Sequence, residues 1–199
     1  MDAWVKISAR LSCVLPSSLL SMSIQQHGYL DILLRCIEDE YDESRINSDA
    51  TQDILASHYQ KMMSEIWIIT VYETFRTIVE IEKPPPDSDL AILAHHLRLI
   101  RIPLAKHQIA RDDRLDEPLK MVRYPQNNDD SDFVDYGTGN RRNEYYDPKR
   151  AHIMRSGTSA RGSCIWEVID GATKESFWLE RRELSERILK IYGPLPDPA

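Results

Sequence analysis

The sequence predicts an α+β fold that is mainly α-helical. Three segments in the first 112 residues repeat apolar side chains at steps of three and four, the spacing of one helix face. Near the carboxyl end, two runs that alternate apolar and polar residues flank an Asp-Gly turn, which is typical of a β-hairpin. We therefore predict a helical body in residues 1–112, an irregular charged segment in 113–160, and a hairpin with a short helix in 161–199.

The first predicted helix begins after Pro16, where Ser17 or Ser18 can cap its free N–H groups. The acidic stretch 38–43 ends it. We expect its apolar stripe to face the core. The residues of that stripe are Leu19, Met22, Gln26, Leu30, Leu33, Ile37 and Tyr41.

The second predicted helix, about 51–82, is long, and Glu73 falls at the centre of its apolar arc. From Ile66 to Val79 it is apolar nearly all round, so its own fold or a partner must cover every side. Three prolines at 84–86 stop it. The residues of the arc are Leu55, Tyr59, Met62, Ile66 and Ile69.

The third predicted helix opens at 87–89, where capping side chains and negative charge suit a helix N-terminus. Pro103 disfavours helical geometry at Ile102, so we expect a kink or a break there. Pro103 would then restart a short helix that runs to about Ala110. The stripe of this helix is Leu90, Leu93, Leu97, Ile100 and Leu104.

Residues 113–160 change in composition: 127–135 is acidic, and 141–161 carries six Arg or Lys against two acidic residues. Such a stretch indicates a functional loop or local disorder, with short strands expected at 119–124 and 133–136. The hairpin follows at 164–169 and 175–180, and a helix at 182–192. One hairpin face should be buried, formed by Trp166, Val168, Phe177 and Leu179.

Composition excludes several classes of protein. A net charge of −7 argues against broad, charge-driven binding of nucleic acid. No run approaches the roughly 18 apolar residues of a spanning helix, and no secretory signal is recognisable, so we expect no membrane association. Three cysteines without a CxxC pair are typical of a reduced, intracellular protein, so we expect a cytoplasmic location and a buried, inert Cys36.

The segment from Arg101 to His107 is the most suggestive for chemistry. A histidine can transfer a proton near neutral pH, and an arginine can hold a phosphate or stabilise negative charge. On an unbroken helix the two side chains would lie about 120° apart, whereas a bend at Pro103 would let both face one cleft. Lys106, Arg98 and His96 would add positive potential there.

With its three helices and the Arg101-x(5)-His107 spacing, the segment 16–110 resembles the HEPN superfamily of helical nucleotide-binding proteins. The resemblance implies an all-helical bundle, often a homodimer, and metal-independent cleavage of RNA in bacterial toxin or defence systems. It also implies that Arg101 and His107 are the catalytic residues.

A structural interpretation of the same residues stays open. Arg101 can pair with Glu73 or Glu65, and His107 can cap the end of the third helix. Glu73 either orients Arg101 or His107 across the helix interface, or pairs locally with Arg76.

The basic run offers RNA-binding groups, although a solvated loop that balances the acidic run explains the same residues. Its candidate RNA contacts are Arg141, Arg142, Lys149 and Arg150. No metal-ligand spacing accompanies the adjacent His95 and His96, so we expect neither a metal nor a cofactor.

Two functions therefore remain open. One is a metal-independent ribonuclease centred on Arg101 and His107, supported by Glu73, His96 and Lys106. The other is a non-catalytic interaction protein or antitoxin-like adaptor, which the acidic charge and the apolar second helix favour. Both are compatible with a homo-oligomer.

Overall fold

The computed structural model describes residues 2–14, 18–46, 54–109, 119–120, 145–146 and 154–193. Within these ranges the fold is α+β and mainly helical, which confirms the fold class that the sequence predicts. The elements are α1 (Asp2–Val14), α2 (Ser18–Ile46), α3 (Ile54–Glu82), α4 (Asp89–Lys106), β1 (Leu119–Lys120), β2 (Tyr145–Tyr146), β3 (Ser156–Thr158), β4 (Cys164–Asp170), β5 (Glu175–Glu180) and α5 (Arg181–Tyr192).

The helix α1 was not predicted from the sequence. It packs along α2. Trp4 donates its indole N–H to Asp31 Oδ2 of α2 at 3.1 Å. The hydroxyls of Ser8 and Ser21 lie 2.7 Å apart across the same contact. Its buried apolar residues are Trp4, Ile7 and Leu11.

The apolar stripe of α2, which we expected to face the core, lies largely at the surface, and so does the apolar arc of α3. Leu19 on α2 is 74% exposed and Leu55 on α3 is 65% exposed. Cys36, expected to be buried, is an exposed free thiol. The buried faces mix polar and apolar residues: Ile24, His27, Gly28, Asp31, Leu34 and Glu38 on α2, and Gln60, Ser64, Trp67, Ile68, Val71, Thr74, Phe75 and Ile78 on α3.

The helix α4 begins where the sequence predicts, because the Ser88 hydroxyl accepts a hydrogen bond from the Ala91 N–H at 3.2 Å. It then runs without interruption through Pro103 to Lys106. A break with a restart at Pro103 is therefore wrong, whereas the kink that the sequence also allows stays a prediction. Pro103 is buried, so packing of its ring offsets the hydrogen bond that it cannot donate. His107 ends the helix in a left-handed conformation, with its N–H donating to the Pro103 carbonyl at 2.9 Å.

The predicted hairpin is present as β4 and β5, with Trp166 opposite Leu179 and Val168 opposite Phe177. A third strand, β3, pairs antiparallel with β4 and comes from the segment predicted to be irregular. All seven residues of β4 are buried, because this central strand also packs against α3, α4 and α5. The expected single buried face is therefore wrong for β4.

A separate two-stranded sheet pairs Leu119 of β1 with Tyr146 of β2. The first of these strands lies at the start of the predicted strand at 119–124. The predicted strand at 133–136 lies outside the described residues.

The carboxyl-terminal segment is joined to the helical body by a buried ion network around Arg181. This guanidinium donates to both carboxylate oxygens of Glu38 at 2.8 and 2.9 Å, and to Asp31. It also lies 5.5 Å from the centre of the Trp67 ring. Apolar residues of α1 to α5, β4 and β5 form one cluster around this network, so the hairpin and the helices share a core.

Candidate functional site

Arg101, the predicted anion-binding residue, lies on α4 against α3. Its NH2 group contacts Glu73 Oε1 at 3.0 Å, and its guanidinium lies 5.5 Å from the centre of the Tyr72 ring. Its Nε is buried without a hydrogen-bond partner among the described residues. Arg101 is thus held against α3 by one ion pair and one ring contact.

Glu73 pairs with both Arg101 and Arg76. It therefore makes the contact across the helix interface as well as the local contact, which the sequence left open as alternatives. Its second oxygen accepts a hydrogen bond from Arg76 Nε at 3.0 Å, and Arg76 reaches Glu80 at 2.6 Å. The result is a chain of four alternating charges, Arg101–Glu73–Arg76–Glu80, whose sum is zero.

His107, the predicted proton-transfer residue, occupies the C-cap of α4 and is exposed, as is Lys106 beside it. The helix α4 is continuous up to Lys106, and His107 follows it in a left-handed conformation. In the described part of the chain, neither a hydrogen bond nor an ion pair joins His107 to Arg101 or to Glu73. The structure therefore brings Arg101 to Glu73 and leaves His107 at the helix end.

His96, the predicted supporting residue, belongs to a different cluster. Its Nδ1 accepts a hydrogen bond from Arg187 NH1 of α5 at 2.8 Å, and its ring centre lies 5.5 Å from that of Phe177. Burial, the charge of Arg187 and the neighbouring His95 lower the pKa of His96 to about 4. His95 itself pairs with Asp170 at 2.9 Å.

No feature of the sequence indicated this His95–Asp170 pair. The two residues lie 75 positions apart, and only the packing of α4 against the end of β4 brings them together. The turn signal at Asp170 was visible in the sequence, whereas its histidine partner was not. The predicted RNA contacts Arg141, Arg142, Lys149 and Arg150 lie outside the described residues.

A third feature is a set of exposed apolar side chains on α2 and α3, which we call the α2/α3 face. Members of both predicted stripes line one groove of about 570 Å³ between these helices, among them Leu19, Gln26, Ile69 and Glu73. The first part of the α2 stripe and the last part of the α3 arc therefore border the same groove. The exposed residues that define the face are Leu19, Met22, Leu33, Leu55, Tyr59, Met62, Ile66 and Ile81.

The side chains at the base of this groove are polar, and they form hydrogen bonds with one another. His27 Nε2 lies 2.9 Å from the Thr74 hydroxyl, and His27 Nδ1 lies 3.5 Å from that of Thr70. Burial lowers the pKa of His27 to about 4, so the imidazole is neutral near pH 7. The groove thus offers apolar walls above a neutral, hydrogen-bonded base.

Three further findings bear on what this chain can do. No group of three or more His, Cys, Asp or Glu side chains within the described ranges is placed to hold a metal ion. None of the helices that the structure describes combines the length and the apolar character needed to cross a bilayer. No family model, no curated protein and no solved structure matches this chain.

Proposed function

We propose that this protein is a non-catalytic interaction protein that self-associates through the α2/α3 face. The observation that carries the proposal is the pair of exposed apolar stripes that border one groove. Monomeric proteins rarely expose contiguous apolar patches larger than a few hundred Å². Large apolar side chains left in contact with water at this scale favour association with a matching surface.

The size of the face fits a second copy of the chain. Eight large side chains define it, each exposed by about half or more. At roughly 100 Å² of exposed surface per side chain they offer on the order of 800 Å², the area that each partner contributes to a standard stable interface. A twofold axis would place each stripe on its own equivalent, so one surface would serve both partners.

Charge does not oppose this arrangement. The chain carries a net charge of −7, which would repel a second copy if the charge were concentrated at the contact. The row of ion pairs beside the groove, from Arg101 to Glu80, contains two arginines and two glutamates whose charges cancel. The face is therefore apolar at its centre and electrically balanced along one side.

The ribonuclease hypothesis stays a prediction beside this proposal. It needs a guanidinium that is able to face the RNA, whereas Arg101 is engaged by Glu73 and Tyr72. A homodimer would also fit a HEPN-like nuclease, so mass alone does not choose between the two functions. A direct test of RNA cleavage is needed as well.

The proposal includes a reducing location, which we take to be the cytoplasm. Cys36 is an exposed free thiol on α2, the helix that carries half of the proposed interface. In an oxidising compartment such a thiol would be open to disulfide formation between copies.

The first experiment measures the mass of the purified chain by light scattering over a range of protein concentrations. We expect a dimer of twice 23.1 kDa, and a monomer when a charge is placed at the centre of the face by Leu33→Glu or Ile66→Glu. Val5→Glu, at an exposed apolar position of α1 outside the face, is the matched control and should remain a dimer. A wild type that is monomeric up to tens of micromolar would contradict the proposal.

The second experiment incubates wild type, Arg101→Ala and His107→Ala with mixed RNA in EDTA across pH 6 to 8. We expect equal and intact RNA in all three. His58→Ala, which removes an exposed histidine of α3, is the control for non-specific effects. Metal-independent cleavage that is lost in the two variants and kept in the control would replace our proposal with the nuclease.

A further inference from the structure

We propose that the α2/α3 faces of two copies pack antiparallel, so that Tyr59 and Met62 of each copy fill the groove of the other. This inference rests on the proposed function, because the partner that it assumes is a second copy of the chain. The twofold axis would cross α3 near the middle of the helix, and each groove would be completed by side chains of the other copy.

The groove and the large exposed side chains of α3 lie at opposite ends of one helix face. Glu73, Thr77 and Ile81 line the groove near the carboxyl end of α3. At about 100° per residue, four large exposed side chains nearer the amino end fall within about 40° of Glu73 around the helix. At a rise of about 1.5 Å per residue, Tyr59 lies about 27 Å from Thr77. The four exposed side chains are Leu55, Tyr59, Met62 and Ile66.

Two twofold arrangements can bring two such faces together, and they differ in what meets the groove. If the axis runs along the helices, the grooves of the two copies face each other. If the axis crosses the helices, each groove meets the projecting side chains of the other copy. The first arrangement leaves two grooves of about 570 Å³ each unfilled, and the atoms that line them lose packing contacts. The second fills both grooves at once, because a twofold axis repeats every contact.

The register follows from covering the whole exposed length of α3. This length runs from Leu55 to Ile81, so its midpoint is the level of Ile68. An axis at this level places residue 59 opposite residue 77 of the other copy, and residue 62 opposite residue 74. Both Thr74 and Thr77 line the groove. The side chains at positions 59 and 62 therefore lie over the groove of the other copy.

Tyr59 and Met62 suit the chemistry of the groove. The flexible thioether of methionine adapts to irregular apolar gaps, and the tyrosine ring adds a large apolar surface. A tyrosine hydroxyl usually finds a hydrogen-bond partner when it is buried, and Ser23 and Gln26 among the lining residues carry polar groups. The walls of the groove are aliphatic and are formed by Leu19, Leu20, Ile69 and Ile81.

The first test measures distances between spin labels in the dimer by pulsed electron paramagnetic resonance. Cys13 and Cys36 are replaced by serine, and one labelling site is introduced by His58→Cys or Glu80→Cys, at exposed positions near the two ends of α3. In the antiparallel dimer the two labels should lie about 30 Å apart at position 58 and about 36 Å apart at position 80. With groove on groove, both distances should be within about 20 Å, because packed helices lie roughly 10 Å apart.

The second test exchanges bulk between the groove and the side chain that fills it. Thr77→Trp should weaken the dimer at least about tenfold, because the larger side chain overfills the groove. Tyr59→Ala in the same chain should restore most of this loss, since it removes the ring that competes for the space. The two positions are about 27 Å apart within one copy, so they can couple only across the interface. Ile66→Ala is the matched control, because it truncates another exposed residue of the same face that does not lie opposite position 77, and it should restore nothing.

The outcomes separate the packing of the two copies from self-association as such. Short distances for both label pairs would overturn the antiparallel packing, and so would a Tyr59→Ala change that deepens the loss caused by Thr77→Trp. Either result would leave the dimer itself intact, because light scattering measures the mass of each variant alongside. A monomeric wild type would instead overturn self-association, and the packing with it.

Discussion

The guanidinium of Arg181 is fully buried, and so are the two carboxylates that it holds, Asp31 and Glu38. Burial alone would raise the pKa of Asp31, but the charges of Arg181 and Arg35 outweigh it and keep this pKa below its ordinary value. Asp31 is therefore ionised in the folded protein, and its charge depends on a cation supplied from another helix. Removing that cation leaves buried negative charge without compensation.

We predict that Arg181→Met lowers the free energy of unfolding by about 3–5 kcal/mol, the usual cost of breaking a buried ion pair by removing one partner. Urea unfolding followed by circular dichroism measures this change. Arg76→Met, which breaks exposed pairs with Glu73 and Glu80, is the control and should have a far smaller effect. Equal midpoints for the two variants would show that the buried network adds nothing beyond surface pairing.

Whether an ion pair could be predicted from the sequence depends on how far apart its two residues lie along the chain. Arg76 pairs with Glu73 and Glu80 at spacings of three and four residues, and the pair with Glu73 was one of the alternatives that the sequence left open. The Arg101–Glu73 contact was one of two alternatives, because both residues lie on helices expected to be neighbours. Arg181 and Asp31 are 150 positions apart, and no local rule links them.

At the scale of elements, the contact between α1 and α2 depends on Gly28. A Cβ atom at this position would lie 2.5 Å from both Cβ and Cγ of Trp4. These atoms are close to the α1 backbone, so they cannot move without moving the helix. Gly28 therefore allows the two helices to approach closely enough for Trp4 to reach Asp31.

We predict that Gly28→Ala destabilises the protein by about 1–3 kcal/mol, as expected for overpacking. The direction of the change in stability is informative, because a Gly→Ala substitution in an open helix interior stabilises by up to about 1 kcal/mol. Urea unfolding measures the effect, and Trp4 fluorescence reports the displacement of α1. Gly157→Ala is the control, since a Cβ there meets Ile165 at an ordinary 3.6 Å. A more stable Gly28→Ala would show that α1 does not pack on α2 in this way.

The expected burial of the α2 stripe fails for a physical reason. Hydropathy predicts that the most apolar face is buried, but the buried face of α2 carries His27, Asp31 and Glu38, whose partners come from α3 and α5. Burial of polar groups that are hydrogen-bonded elsewhere is invisible to periodicity. Where burial follows apolar character the prediction holds, since Leu90, Leu93, Leu97 and Ile100 of α4 are buried as predicted and the strands of the hairpin pair as predicted.

At the scale of the whole molecule, one core unites the helices with the carboxyl-terminal sheet. This arrangement creates the features that the sequence could not show, since both the His95–Asp170 pair and the Arg181 network cross between the helices and the carboxyl-terminal segment. The α2/α3 face is different. Its apolar residues could be recognised in the sequence, and only their exposure to solvent could not be predicted.

Among the described residues, two histidines, His27 and His96, have their pKa lowered to about 4, mainly by burial. The stability of the molecule should therefore depend on pH. Between about pH 6.5 and pH 4 the unfolded chain binds a proton that folded His27 does not, and stability falls as the pH is lowered. We predict a loss of up to about 3 kcal/mol from His27 over this range, and less from the more exposed His96. Urea unfolding at pH 7, 6, 5 and 4.5 measures the curve, which should be flatter in His27→Gln and unchanged in His58→Gln, an exposed site on α3. Identical curves for wild type and His27→Gln would show that His27 takes up its proton without unfolding, and that the floor of the groove is open to water.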